Sequence, residues 1–171
     1  MTETPSIDHS SAQKIVVEVG DLAFTADKNS VLSTYGLGSC VGIAAYCPEK
    51  ALGALLHIML PDSKTNPTKA EEQPATFADT GLAALFQEFE SRGSTLKQVH
   101  FFLAGGASFM GADALFKIGE KNIEAVKAIF QAQQITPVDE QLGGINNRTL
   151  HLFNGMLELQ TPSTKTTFSL K

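Results

Sequence analysis

"STYGLGSCVGIAAYCPEKALGALLHIMLP", residues 33–61, holds both cysteines of the chain, Cys40 and Cys47, and one of its four histidines, His57. Two apolar segments, 41–46 and 51–60, flank Cys47-Pro48-Glu49-Lys50. Proline suits the second position of a type I turn and blocks a continuous helix. The stretch therefore predicts a β-hairpin buried on both faces. Centring its turn between Pro48 and Glu49 sets Tyr46 opposite Ala51 and Cys40 opposite His57. Facing residues share one side of a sheet with Cβ atoms about 4.5–5.5 Å apart, close enough for a thiol and an imidazole to meet. A slip of one residue would send them to opposite faces.

A cysteine and a histidine in contact are the minimum equipment for nucleophilic attack on a carboxamide. The thiolate attacks, and the imidazole takes the thiol proton and later delivers it to the leaving group. Gly36, Gly38 and Ser39 precede the cysteine and would leave backbone N–H groups open to a developing oxyanion. A third group should orient the imidazole. Ser33, Thr34 and Ser39 are all local candidates. Cys47, an odd number of residues from Cys40, points elsewhere and reads as structural.

Other chemistries fit less well. "GLGSCVG" resembles a dinucleotide-binding loop only superficially, because such a loop must open a helix and Pro48 follows too soon. Cys40, Cys47 and His57 lack zinc-ligand spacing. His100 alternates with Phe101 in a strand pattern and reads as core, and His9 falls in a polar tail.

Outward from the hairpin, "KIVVEVGDLAF" at 14–24 is rich in β-branched residues and predicts one strand. "VLSTYGLGSC" begins as a strand and breaks at its glycines. "PDSKTNPTKAEEQP", with three prolines, predicts a long loop that is either mobile or a lid, with 62–75 as the candidate movable wall of a groove. Leu82, Leu85, Phe86 and Phe89 then recur at helical spacing, with Gly93 as the terminating residue. "QVHFFLAGGA" predicts an inner strand, and Ile123, Val126, Ile129 and Phe130 mark a second amphipathic helix. "LAGGAS" and "LGGINNR" read as backbone turns or close strand approaches. In "TLHLFNGMLELQ", Asn154-Gly155 is a type I′ hairpin signal. It opposes Leu152 to Leu157, Leu150 to Leu159 and His151 to Glu158.

The fold class expected is α+β, a layered sandwich of stacked, mostly antiparallel sheets with two outer amphipathic helices. A tail at 1–13, one domain at 14–160 and a frayed tail at 161–171 complete the expected organisation. A formal charge of −5 with no basic run argues against a nucleic-acid binder. No signal peptide or membrane-spanning stretch is evident, and two cysteines fit a reducing, cytoplasmic setting.

"TYGLGSCVGIAAYCPEKALGALLHIMLP", "FADTGLAAL", "AGGASFM", "IGEKNIEAVKAIF" and "LGGINNRTLHLFNGMLEL" together resemble the CheD family of chemoreceptor glutamine deamidases. The resemblance implies Cys40 as nucleophile, His57 as base and Thr34 as its orienting group. It implies hydrolysis of receptor glutamine amides to glutamate through a thioester, with no metal or organic cofactor. An amine acceptor in place of water would make the protein a transglutaminase. The implied partners are the cytoplasmic helices of chemoreceptors and the phosphatase CheC. A non-catalytic adaptor that only docks to them is the alternative. The chain departs from the family pattern at Leu142 and Asn147.

Overall fold

The computed structural model describes residues 7–109, 111 and 115–171. Among the described residues, ten strands form two five-stranded sheets. In the first, β1 (Gln13–Val16), β3 (Ser30–Leu37), β8 (Arg148–Phe153), β9 (Met156–Gln160) and β10 (Lys165–Ser169) are neighbours in that order. In the second the order is β2 (Leu22–Thr25), β5 (Leu52–Ile58), β4 (Val41–Cys47), β6 (His100–Gly105) and β7 (Asp139–Leu142). Pairing is antiparallel except for β1 with β3 and β6 with β7. Among the described residues, the helices with defined bounds are α1 (Pro67–Glu72), α2 (Ala78–Ser91) and α3 (Ile118–Ala132).

Two apolar layers explain the order. Val41, Ile43, Ala45 and Cys47 of β4, with Leu52, Ala54, Leu56 and Ile58 of β5, pack against α2 and α3. The alternate residues Ala44, Tyr46 and Leu55 pack against Leu32, Leu150, Leu152 and Leu157 of the other sheet. The hairpin is thus buried on both faces, as its unbroken apolar composition predicts. Phe86 and Phe101 both stack edge-on against Phe130, tying the helices to the sheet. The architecture is helices, sheet, sheet.

Both long helices lie where their periodicity places them, with Leu82, Leu85, Phe86 and Phe89 buried on α2 and Val126 and Phe130 on α3. Gly93 follows α2 with φ +80°, a conformation glycine takes without strain. At the second hairpin, Asn154 and Gly155 both have positive φ, and Leu152–Leu157, Leu150–Leu159 and His151–Glu158 are partners.

Four details correct the expectations. The first hairpin closes at Cys47–Leu52, so His57 faces Gly42 rather than Cys40. The reason is the turn: Pro48–Lys50 forms a 3-10 turn and Ala51 takes φ 47°, which lengthens the loop by two residues. A shift of two preserves the face of every side chain. The single strand expected at 14–24 divides into β1 and β2, in different sheets. Gly20, at φ +79°, makes the break, and a Cβ there would strike the Gln73 and Thr76 side chains. The lid segment is structured: Asn66 Oδ1 accepts from Lys69 N–H at the start of α1, and the Ser63 N–H and hydroxyl bond the Asp79 carboxylate. The C-terminal segment expected to fray supplies β10, paired with β9 from Lys165–Gln160 to Ser169–Met156.

Candidate active site

His57 points between the two sheets, where it is 1% exposed. Its Nδ1 lies 2.7 Å from Thr34 Oγ1. The same Thr34 hydroxyl lies 2.6 Å from the Val17 carbonyl, which can only accept. A hydroxyl has one proton. Thr34 therefore donates to Val17 and accepts from His57, which fixes the imidazole with its proton on Nδ1. Nε2 is left as a buried lone pair with no hydrogen-bond partner. That is the atom and protonation state a general base needs.

Burial pushes the imidazole down to about 4, opposed only in part by the Asp21 carboxylate. His57 is thus neutral in the folded protein across the physiological range. In the unfolded chain it titrates near its ordinary value of about 6.5. Because the unfolded chain takes up a proton that the folded one refuses, stability is lost as pH falls from about 6.5 towards 4. This one residue should cost about 3 kcal/mol over that range. Urea unfolding at several pH values should show the loss, and His57→Gln should flatten it. Equal slopes in the two proteins would contradict a buried neutral imidazole.

Cys40 lies just before β4, is half-buried, and packs against the same intersheet layer that His57 enters. Since Gly42 faces His57, Cys40 stands two residues before it on the same face, diagonal to the imidazole, a relation that on a regular ladder sets Cα atoms about 7–8 Å apart. Gly42 is glycine because Leu37 fills its side-chain position: a Cβ there would lie 2.8 Å from Leu37 Cδ1. Cys47 is fully buried in the other layer, beside the Ser94 hydroxyl at 3.5 Å.

The loop before Cys40 is pinned from three sides. Gly38 O accepts from Ala107 N–H at 2.8 Å, and Cys40 O accepts from Gly106 N–H at 2.7 Å. Gly105 is required for this approach, because a Cβ on it would fall 2.2 Å from Cys40 O. The Asn122 amide on α3 donates to Ser39 O and to Met59 O, both at 2.9 Å. One side chain thereby clips the residue before Cys40 to the strand end just past His57. Among the loop residues, Gly36 occupies the bulge of β3 at φ +65°, with open space where a Cβ would be. Gly38 spends its N–H on Gly36 O and lies under the Phe109 ring. The Gly38 N–H is therefore unavailable to an oxyanion, whereas Ser39 engages only its carbonyl among the described residues.

Sequence reasoning missed Val17, Asp21 and Asn122. Val17 acts through its carbonyl, which no side-chain pattern reveals. Asn122 did leave a signal: it shares the buried stripe of α3 with Val126 and Phe130, as a polar residue in an apolar series. The "LGGINNR" segment serves the same loops. Arg148 donates to Gly143 O at 2.7 Å, and Gly143 N–H to Gly105 O at 2.8 Å.

Thr34→Val should leave two buried groups unpaired and free the imidazole to adopt the wrong tautomer. Turnover should fall about ten- to a hundredfold, below the full worth of acid–base catalysis, with KM little changed. Thr34→Ser, which keeps the hydroxyl, should retain most of the rate. Equal losses in both would show that the methyl group, not the hydrogen bond, matters.

A fixed, unprotonated imidazole in the same layer as a half-buried thiol defines a candidate cysteine–histidine site on a three-layer α+β fold. Comparison with known proteins supplies the family. The model of the CheD family, described as CheD chemotactic sensory transduction, matches residues 59–161. The chain is 40% identical over 150 residues to a protein of Solibacter usitatus named "Probable chemoreceptor glutamine deamidase CheD", covering 86% of this chain and 89% of that one. It is 41% identical to a protein of Archaeoglobus fulgidus with the same name, covering 82% and 87%. A protein of Anaeromyxobacter dehalogenans, "Probable chemoreceptor glutamine deamidase CheD 2", is 39% identical, covering 81% and 87%. The chain belongs to the CheD family. The family model begins beyond His57, but an alignment covering 86% of the chain omits too few residues to start after Thr34, so it includes Thr34, Cys40 and His57. No helix among the described residues is long and apolar enough to cross a membrane.

Proposed function

We propose that the protein is a cytoplasmic glutamine deamidase acting on the helical signalling regions of chemoreceptors, with Cys40 as nucleophile, His57 as base and Thr34 as the group that positions it. The observation that carries this reading is the His57 ring, held by Thr34 so that a buried, unpartnered Nε2 is presented in the layer that receives Cys40. The names of the relatives supply the substrate.

The neutral state of His57 determines how the thiol is activated. An imidazole that resists protonation does not hold a standing thiolate–imidazolium pair. Proton transfer from Cys40 Sγ to Nε2 instead accompanies attack on the glutamine Cδ. As the S–Cδ bond forms, the carbonyl oxygen becomes an oxyanion, for which the Ser39 N–H is the available donor in the loop. Collapse breaks the Cδ–N bond, and the proton held on Nε2 goes to the departing ammonia. Water, deprotonated by Nε2, then attacks the thioester. Glutamate and the Cys40 thiol result, and the proton returns to sulfur. The steps draw on the Cys40 and His57 side chains, a main-chain N–H and water.

Family membership suggests the phosphatase CheC as a second partner. The test of the reading is incubation with a purified receptor cytoplasmic fragment, followed by peptide mass analysis and an ammonia assay. Conversion of selected glutamines to glutamates supports it. Stable binding without conversion assigns the protein to the adaptor class instead.

A further inference from the structure

The outer face of the first sheet carries a second cluster, unrelated to the thiol. His151 on β8 and Glu158 on β9 are direct cross-strand partners, and the N-terminal segment lays His9 over them. The ring centroids of His9 and His151 are 5.0 Å apart. One ligand atom from each of His9, His151 and Glu158 lies within 4.8 Å of the other two.

Glu158 is the anomaly. Its side chain is fully buried, a costly place for a carboxylate unless it is paired. Oε1 accepts from Gln160 Nε2 at 2.7 Å and faces Lys165 Nζ at 3.2 Å and His9 Nε2 at 3.9 Å. Oε2 is buried with no partner. His151 is 5% exposed, and its Nδ1 is engaged by Ser33 Oγ at 2.7 Å, leaving Nε2 for another role. A ligating histidine characteristically bonds an outer group through its second nitrogen, and Ser33 occupies that position here.

We propose that His9, His151 and Glu158 form a binding site for a divalent transition metal of the zinc class, which fastens the N-terminal segment to the sheet. Two imidazoles and one carboxylate are a ligand set that zinc accepts, with water as the fourth ligand. Zinc bonds of about 2.1 Å in tetrahedral geometry put ligand atoms about 3.4 Å apart, so the widest separation in the cluster must close by up to about 1.4 Å. His9 can supply that movement. It is held by local turn contacts, such as Ala12 N–H to His9 O at 3.0 Å, rather than by a strand ladder. The Lys165 side chain is half exposed and can turn to solvent once a metal neutralises Glu158. Ser33 and Thr34 are adjacent on β3, so the metal would brace on one face the strand that positions the His57 imidazole on the other. The metal is structural in this account and takes no part in deamidation.

The test is titration of the full chain, stripped with chelator, with zinc alone, read by calorimetry and by thermal unfolding. One zinc should bind per chain and raise the unfolding temperature. His9→Ala removes a ligand at the edge of the fold and should weaken binding by about a hundredfold or more. Ser33→Ala should weaken it about ten- to a hundredfold through loss of the outer hydrogen bond. Glu158→Gln, which removes the carboxylate charge, should abolish binding; if it unfolds the protein, His9→Ala decides. Absence of one-to-one binding would overturn the proposal. So would binding that survives His9→Ala but disappears in Cys40→Ala, since the metal would then sit at the thiol.

Discussion

Cys40→Ala is expected to abolish ammonia release from a receptor fragment while leaving the fragment bound. In a nucleophile–base pair that acts as a unit, loss of either member lowers turnover by about 10⁶-fold, beyond what an ammonia assay detects. Binding should persist because the substitution deletes one sulfur from a half-buried side chain and little contact area. The fold should persist too, since the loop is held through main-chain groups: Cys40 O to Gly106 N–H, Gly38 O to Ala107 N–H, and Ser39 O to the Asn122 amide. None of these involves the thiol. Conversion of glutamines at the native rate by Cys40→Ala would exclude the thioester route.

His57→Gln should be as inactive as Cys40→Ala, and the double variant should be no worse than either. Glutamine is the informative replacement because it keeps a polar group near Thr34, whereas alanine would add a cavity to a site that is only 1% exposed. The expected loss is in kcat, with receptor binding unchanged. Without Nε2 the base that takes the thiol proton and returns it to ammonia is gone. Additive losses in the double variant would mean that the two residues work independently, and that His57 serves the fold rather than the reaction.

The sequence carried the second hairpin completely, because Asn154-Gly155 tolerates the positive φ of a tight turn and leaves the register no freedom. It carried both long helices through the apolar stripes of α2 and α3. The first hairpin shows the limit. Its face assignment could be read from composition, but its register depended on Ala51 adopting φ 47°, which alanine does not advertise. Strands β7 and β10 were invisible for a related reason. Both are short edge strands with polar composition, and they owe their pairing to a neighbour already in place. The same distinction runs through the site. Cys40 and His57 could be named from residue type and spacing, whereas Thr34 stood beside Ser33 and Ser39 until the family resemblance singled it out. The Val17 carbonyl that orients the Thr34 hydroxyl, and so the imidazole, could not, because every residue has a carbonyl and only the fold selects one.

The measurement that bears most directly on the deamidase reading is the reaction of native protein with a receptor fragment in water enriched in heavy oxygen. The account predicts glutamates that each carry one heavy oxygen from solvent, an equal amount of ammonia, and neither product with Cys40→Ala. Glutamines joined to amines without solvent oxygen would make the protein a transferase. Receptor fragments that bind yet keep every glutamine intact would contradict the account.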